Sequence, residues 1–375
     1  MQALKSERFL ALDVFRGMTV CFMIIVNTPG FNAPTFSPLL HATWHGFTPT
    51  DLVFPSFLFA VGNAMAFVMP KWEGLPTGQV LTKILKRSFL IFLLGYLMYW
   101  FPFFKHTPEG WVLSPIGETR VFGVLQRIGL CYGIAATLIY FLKPRAAAWL
   151  AVAFLFIYWG LLYWLAGPGD PLSLEGNAVL RIDRWLLGEH HLYHGEGLAF
   201  DPEGLLSTLP AVANVIGGYL AGAWIRKNGS NWETLVKLLL AGCTLVFLAW
   251  RWNHYFPVNK KLWTSSFVLL TVGLDCIIIA AILYIIDFRK LTRWTYFFTV
   301  FGKNTLFIYL LSEVLAILLY FIKNSAGEPL YKVIYRSIFE WLPRYYASLA
   351  FALSFMLVCW LVGWWLDKKK IYIRV

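Results

Sequence analysis

Residues 264–286 read TSSFVLLTVGLDCIIIAAILYII, and Asp275 is their one charged side chain. At about 1.5 Å per residue, a helix of that length crosses the ~30 Å hydrocarbon core of a bilayer. Inside lipid only a helix or a closed barrel satisfies its own backbone, so this run is expected to be helical. Similar apolar runs lie at approximately 9–28, 50–69, 84–103, 121–142, 147–166, 208–225, 234–252, 296–322 and 346–366. The chain is therefore expected to be an all-α, polytopic integral membrane protein with about ten transmembrane helices. Gly302, Lys303 and Asn304 interrupt the run at 296–322, which is expected to break there.

Composition agrees. The 375 residues are 59% hydrophobic and 14% charged, where soluble proteins carry about 25% charged residues. Too little polar surface is present to cover a water-soluble chain, and a single membrane-embedded domain over 1–375 is expected. The net charge of +12 does not point to nucleic acid, because the basic residues stand in short clusters between apolar runs. With the N-terminus inside, about seventeen Lys and Arg fall on the cytoplasmic side, among them Lys5, Arg8, Lys83, Lys86, Arg87, Arg289, Lys290 and Lys368 to Lys370. About eleven fall outside, over much longer loops, so both termini are expected in the cytoplasm. That orientation puts all seven histidines, His41, His45, His106, His190, His191, His194 and His254, on the outer side. Met1 to Arg8 and the stretch after it lack the pattern of a cleavable signal. Cys21, Cys131, Cys243, Cys276 and Cys359 all sit in apolar runs without a CxxC, which predicts packing residues.

Polar groups inside spans are costly and mark function or a partner. Asp13 and Arg16, three apart on one helix face, are expected to pair, or Arg16 faces a buried anion. Gln126 and Arg127 lie within the fourth run, Lys303 and Asn304 within the ninth, and Asp275 is a candidate partner for one of these cations. On the outer side, the first run ends at Asn27, and a loop then delivers His41, Trp44, His45 and Asp51. Histidine is the usual acid–base group near neutral pH, whereas Asp51 is equally explained as a helix cap. His190, His191 and His194 have only weak metal spacing, and no metal is expected. Asp201 and Glu203 precede the sixth run, where they either receive an amine or sugar hydroxyls or dress a helix N-terminus.

Several ordered blocks resemble the heparan-α-glucosaminide N-acetyltransferase family. They are Asp13-Val14-Phe15-Arg16-Gly17, Asn27, His41 through Pro55, Gly123 through Arg127, Asp183 through Gly188, Asp201 through Gly204, and Pro257 through Trp263. His45 departs from the family's lysosomal members, which carry Asn there, and the Asn27-to-His41 loop is longer than expected. The resemblance implies transfer of an acetyl group from cytoplasmic acetyl-CoA to the amine of glucosamine, or of a terminal glucosamine in a glycan, across the membrane. It makes His41 the catalytic histidine, as general base or as a transient acyl carrier, and Asn27 its assistant. Arg16, Gln126, Arg127, Lys303 and Asn304 are then expected to meet acetyl-CoA, and Trp44, His45, Asp51, Asp201 and Glu203 the acceptor. Two other readings stay open: O-acetylation of a sugar hydroxyl, and transport of an amino sugar or oligosaccharide without chemistry. The expected setting is a bacterial inner membrane, with lipid as surroundings. The family also suggests a homodimer, which no residue demonstrates.

Overall fold

A computed structural model describes residues 9–107 and 110–373. Lys5, Arg8 and the expectation concerning a signal at Met1 to Arg8 lie outside the described residues. Among those described, the helices are α1 Leu10–Asn27, α2 Pro49–Val68, α3 Thr77–Trp100, α4 Val124–Phe141, α5 Pro144–Trp164, α6 Ala178–Leu187, α7 Leu205–Asn228, α8 Trp232–Trp252, α9 Ser265–Leu283, α10 Thr295–Lys303, α11 Thr305–Phe321, α12 Leu330–Phe339 and α13 Arg344–Lys368. One antiparallel hairpin, β1 Phe104–Thr107 with β2 Gly110–Leu113, follows α3.

This is a polytopic, all-α membrane protein. Eight helices are long and apolar enough to cross a bilayer, and α10 with α11 makes a ninth if the pair is one span. The sequence expectation of about ten exceeds that number. The difference is α3, which covers the expected run at 84–103 but carries Lys83, Lys86 and Arg87 within its own length. Exposed Trp149, Phe156, Leu240 and Trp250 on α5 and α8 suit a lipid-facing surface. Four of the five cysteines are buried as expected, whereas Cys243 is exposed.

The expected break occurs where the polar residues stand: α10 and α11 meet at 83°. The physical reason is Asn304. Its Nδ2 donates to the Ile371 carbonyl at 3.0 Å and its Oδ1 accepts from Ile373 N at 2.8 Å, so it holds the segment after α13. Lys303 pairs with Asp367 at 2.7 Å beside it.

The chain gathers into two compact units. The first comprises Met1–Leu40, Lys227–Cys243 and Leu274–Arg374, and the second His41–Arg226 and Thr244–Gly273. In the first, α1 lies directly on α10: Gly17 faces the Phe298 carbonyl and Gly302 the Asp13 carbonyl, where a Cβ at either glycine would strike backbone. Small residues at such crossings let helices approach closely in lipid, where van der Waals contact is a main attraction. The second unit repeats the device between α2 and α7, with Gly62 against the Val215 carbonyl and Gly218 against the Phe59 carbonyl.

The second unit also holds an apolar cluster that packs Tyr158 and Leu162 of α5 against Val179 and Leu180 of α6, Phe200, Phe256 and Leu262, with Trp44 and Trp252 at its edge. The Tyr158 hydroxyl donates to the Leu262 carbonyl. Asn177 caps α6 by accepting from Leu180 N at 2.8 Å, and Gly188 ends it at φ +76°. The long loop region 167–207 is thereby folded back on the core.

Replacing Gly218 by Val forces α2 and α7 apart, because the clash is with backbone rather than with a movable side chain. An overpacking cost of about 1–3 kcal/mol is expected, seen as a lowered thermal midpoint in detergent. An unchanged midpoint contradicts the close crossing.

Candidate functional site

Helix α2 starts at Thr48-Pro49-Thr50-Asp51, with Thr48 as N-cap, Pro49 in the first turn and Asp51 at the third helical position. Asp51 Oδ2 accepts from Thr48 N at 3.0 Å and from the Thr48 hydroxyl at 3.1 Å, so the capping role is real. It is not the only role. Oδ2 also accepts from Ala42 N at 3.1 Å, and Oδ1 lies 2.7 Å from His41 Nδ1. The carboxylate is 1% exposed while the His41 ring is 47% exposed, so a sealed anion holds a reachable imidazole.

With Nδ1–H donated to Asp51, Nε2 is the nitrogen that carries the lone pair in the neutral ring. Lys260 Nζ stands 3.2 Å from that nitrogen, 3.1 Å from Nδ1 and 3.9 Å from Asp51 Oδ1. At these nearly equal distances Nζ lies over the imidazole, within reach of both ring nitrogens. Burial pushes the Lys260 ammonium below its ordinary range, against the opposing pull of Asp51 and Glu203.

The segment carrying Lys260 is locked to the His41 loop by several bonds. Gly46 N donates to the Val258 carbonyl at 2.8 Å, and Asn259 Nδ2 reaches His45 Nδ1 at 3.3 Å. Asn259 Oδ1 accepts from Leu262 N at 2.8 Å and turns the chain into α9. Lys261 Nζ donates to the Thr43 carbonyl at 2.8 Å and pairs with Glu196 at 2.5 Å. Trp44 Nε1 donates to the Leu172 carbonyl at 2.8 Å, and its ring packs on Phe200. Burial lowers the His45 imidazole and Asp170 opposes it, which favours the neutral ring.

Asp201 and Glu203, expected to face an acceptor, are both taken by Arg120. Its Nε and Nη2 grip Asp201 at 2.9 and 2.7 Å, and Nη2 reaches Glu203 at 2.7 Å. Its guanidinium also lies over the rings of Tyr99 and Tyr193. Asp201 has no exposure, so this clamp is structural. Fully buried Arg127 donates from Nη2 to the Gly204 carbonyl and Ser207, and lies over Trp263. Its Nε and Nη1, and both polar atoms of the Gln126 amide, have no partner among the described residues.

The remaining expected site residues belong to the first unit, where Arg16 pairs with Asp13 at 2.6 Å, as its spacing predicted. Asn27 Nδ2 donates to Glu313 at 3.1 Å, and Lys303 and Asn304 are engaged as described above. His191 of the histidine run accepts a structural role, its Nδ1 2.7 Å from the Thr119 carbonyl. Sequence reasoning assigned no role to Lys260, Asn259, Lys261, Glu196 or Arg120. The available signal was the pair Lys260-Lys261 in a loop expected on the outer side, where the distribution of basic residues disfavours such a cluster.

Residues 8–172 match the family described as heparan-alpha-glucosaminide N-acetyltransferase, catalytic. The chain is 29% identical over 367 residues to the heparan-alpha-glucosaminide N-acetyltransferase of Mus musculus, an alignment covering 83% of this chain and 54% of that protein. To the Homo sapiens protein of the same name it is 29% identical over 363 residues, covering 82% of this chain and 53% of that protein. The chain thus spans about half the length of the curated relatives it matches.

Asp183, buried beside Gly204, accepts from Leu205 N at 3.0 Å, and burial pushes its carboxyl up to about 7. Between about pH 4 and pH 7 the unfolded chain loses this proton while the folded protein keeps it, so stability falls as pH rises through that window and levels above it. The group contributes up to about 4 kcal/mol to that fall. Asp183→Asn keeps an acceptor for Leu205 N and is expected to flatten the decline of the thermal midpoint between pH 5 and pH 8. A decline as steep as that of the unmodified protein contradicts the assignment.

Proposed function

From the premise that residues 8–172 carry the catalytic-domain family of the heparan-α-glucosaminide N-acetyltransferases, and that the chain is a distant homologue of them, we propose that it is an acetyl-CoA-dependent membrane N-acetyltransferase. The acetyl group moves from cytoplasmic acetyl-CoA to the amine of glucosamine, or of a terminal glucosamine in a glycan, on the periplasmic face. The observation that carries this reading is the Asp51–His41 pair, whose Nε2 has an amine nitrogen within hydrogen-bond distance.

Asp51 orients the imidazole and supports the charge that develops when Nε2 takes a proton. An acceptor amine attacking the acetyl carbonyl gives up that proton to His41, and the thioester C–S bond breaks to release CoA thiol. Trp44 and His45, which follow His41 in the same loop, serve acceptor binding in this reading. Asn27 stays a proposed assistant on the resemblance alone, its Nδ2 donating to Glu313 within the first unit.

The buried orphan atoms of Arg127 and Gln126 fit acetyl-CoA, whose phosphates and amide carbonyls would satisfy them. Lys303 and Asn304 have their bonding filled by Asp367, Ile371 and Ile373, so the cofactor-binding proposal narrows to the α4 pair. If α3 also crosses, the nine spans become ten. Both termini then share the cytoplasmic side of a bacterial inner membrane, as the basic residues favour. A homodimer is part of the same proposal on family grounds.

In proteoliposomes supplied with radiolabelled acetyl-CoA and glucosamine, His41→Ala is expected to slow label transfer by at least about a hundredfold. Transfer at the normal rate removes His41 from catalysis. Product released by mild alkali reports an O-acetyl ester instead, and net sugar uptake without CoA reports a transporter.

Gln126→Leu removes two unpaired buried polar atoms of similar volume. It is expected to raise the thermal midpoint of the ligand-free protein, since each orphan costs about 1–3 kcal/mol, while raising KM for acetyl-CoA. A higher midpoint with unchanged KM dismisses Gln126 as an acetyl-CoA contact.

A further inference from the structure

The half-exposed His41 ring already has an amine against it. Lys260 Nζ stands 3.2 Å from Nε2, with the Asp51 carboxylate behind the ring and 3.9 Å from the same nitrogen. An acceptor amine activated by His41 has to come within hydrogen-bond reach of Nε2, a distance at which Lys260 Nζ already stands. Lys260 belongs to the short segment before α9 that Gly46, His45 and Thr43 tie to the His41 loop, so its backbone is held close.

From this we infer that Lys260 Nζ takes the place of the acceptor amine when no acceptor is bound, and is itself a site of acetylation by this protein. The inference rests on the acetyl-transfer reading above. As the free amine, Nζ attacks the carbonyl carbon of the acetyl thioester. The C–N bond forms and the C–S bond breaks. His41 Nε2 takes the proton shed by the nitrogen and passes it to the departing thiolate. The products are Nζ-acetyl-lysine and CoA thiol, and no other reactant is needed. The modified side chain fills the acceptor position with a neutral amide, so turnover stops when acetyl-CoA is present without an acceptor.

Two features favour Lys260 over other lysines. Burial favours the free base that a nucleophile requires, although Asp51 and Glu203 pull the other way. The neighbouring Lys261 provides an internal contrast, since it is equally shielded at 18% exposure against 17%, yet Glu196 at 2.5 Å and the Thr43 carbonyl hold its ammonium.

The test uses the full-length protein in detergent with deuterated acetyl-CoA and no acceptor, read by fragmentation of the peptide containing both lysines. Label is expected on Lys260 in at least about tenfold excess over Lys261, whose Nζ is engaged by Glu196 and the Thr43 carbonyl and is not at a base. Saturating glucosamine is expected to protect Lys260, and His41→Ala to lower its labelling about a hundredfold. Protection in the unmodified protein decides the matter if the variant fails to fold. Equal labelling of the two lysines, or labelling untouched by glucosamine, overturns the inference by reporting unassisted chemistry. Acetylation of glucosamine with Lys260 unlabelled overturns it while leaving the proposed function standing. Absence of acetyl transfer to either amine overturns both.

Discussion

A single carboxylate, sealed from solvent at the first turn of α2, organises the second unit's polar face. Asp51 receives hydrogen bonds from Thr48 N, the Thr48 hydroxyl, Ala42 N and His41 Nδ1, and lies near the Lys260 ammonium. A buried charge is tolerated only when such partners replace water. Those partners come from the helix it caps, the loop before that helix and the segment before α9. Satisfying one anion therefore draws three parts of the chain together and leaves a half-exposed imidazole with the Lys260 amine against it.

The same demand explains the other polar groups away from water. Arg120 meets two carboxylates and two aromatic rings, and Arg127 meets a carbonyl, a hydroxyl and the Trp263 face. Close helix crossings at Gly17–Phe298 and Gly62–Val215 allow this precision by bringing backbones into contact. The bonding is incomplete at Gln126 and part of Arg127, the buried atoms on which the proposed acetyl-CoA contact rests.

Much of the fold was legible in the sequence because lipid allows few alternatives. Apolar runs of about twenty residues named the spans, and the Gly302-Lys303-Asn304 interruption marked the bend between α10 and α11. Asp13 and Arg16 pair because three residues along a helix return to one face. The expected run at 84–103 became α3, which Lys83, Lys86 and Arg87 set apart from the more apolar helices. His41, His45 and Asp51 were legible as a candidate group because they are near neighbours in the chain. Asp201 and Glu203 looked like open carboxylates because their partner, Arg120, is some eighty residues away.

By itself, then, the sequence determined the solvent this protein folds in, its helices and the loop that carries His41, since hydropathy and local spacing act over one or two dozen residues. Only the tertiary structure decided what touches that histidine. Lys260 lies 219 residues from His41 along the chain, and no local pattern announces such a contact. It exists because helices packed through glycine, loops tied by backbone hydrogen bonds and one buried carboxylate bring distant residues to the same nitrogen.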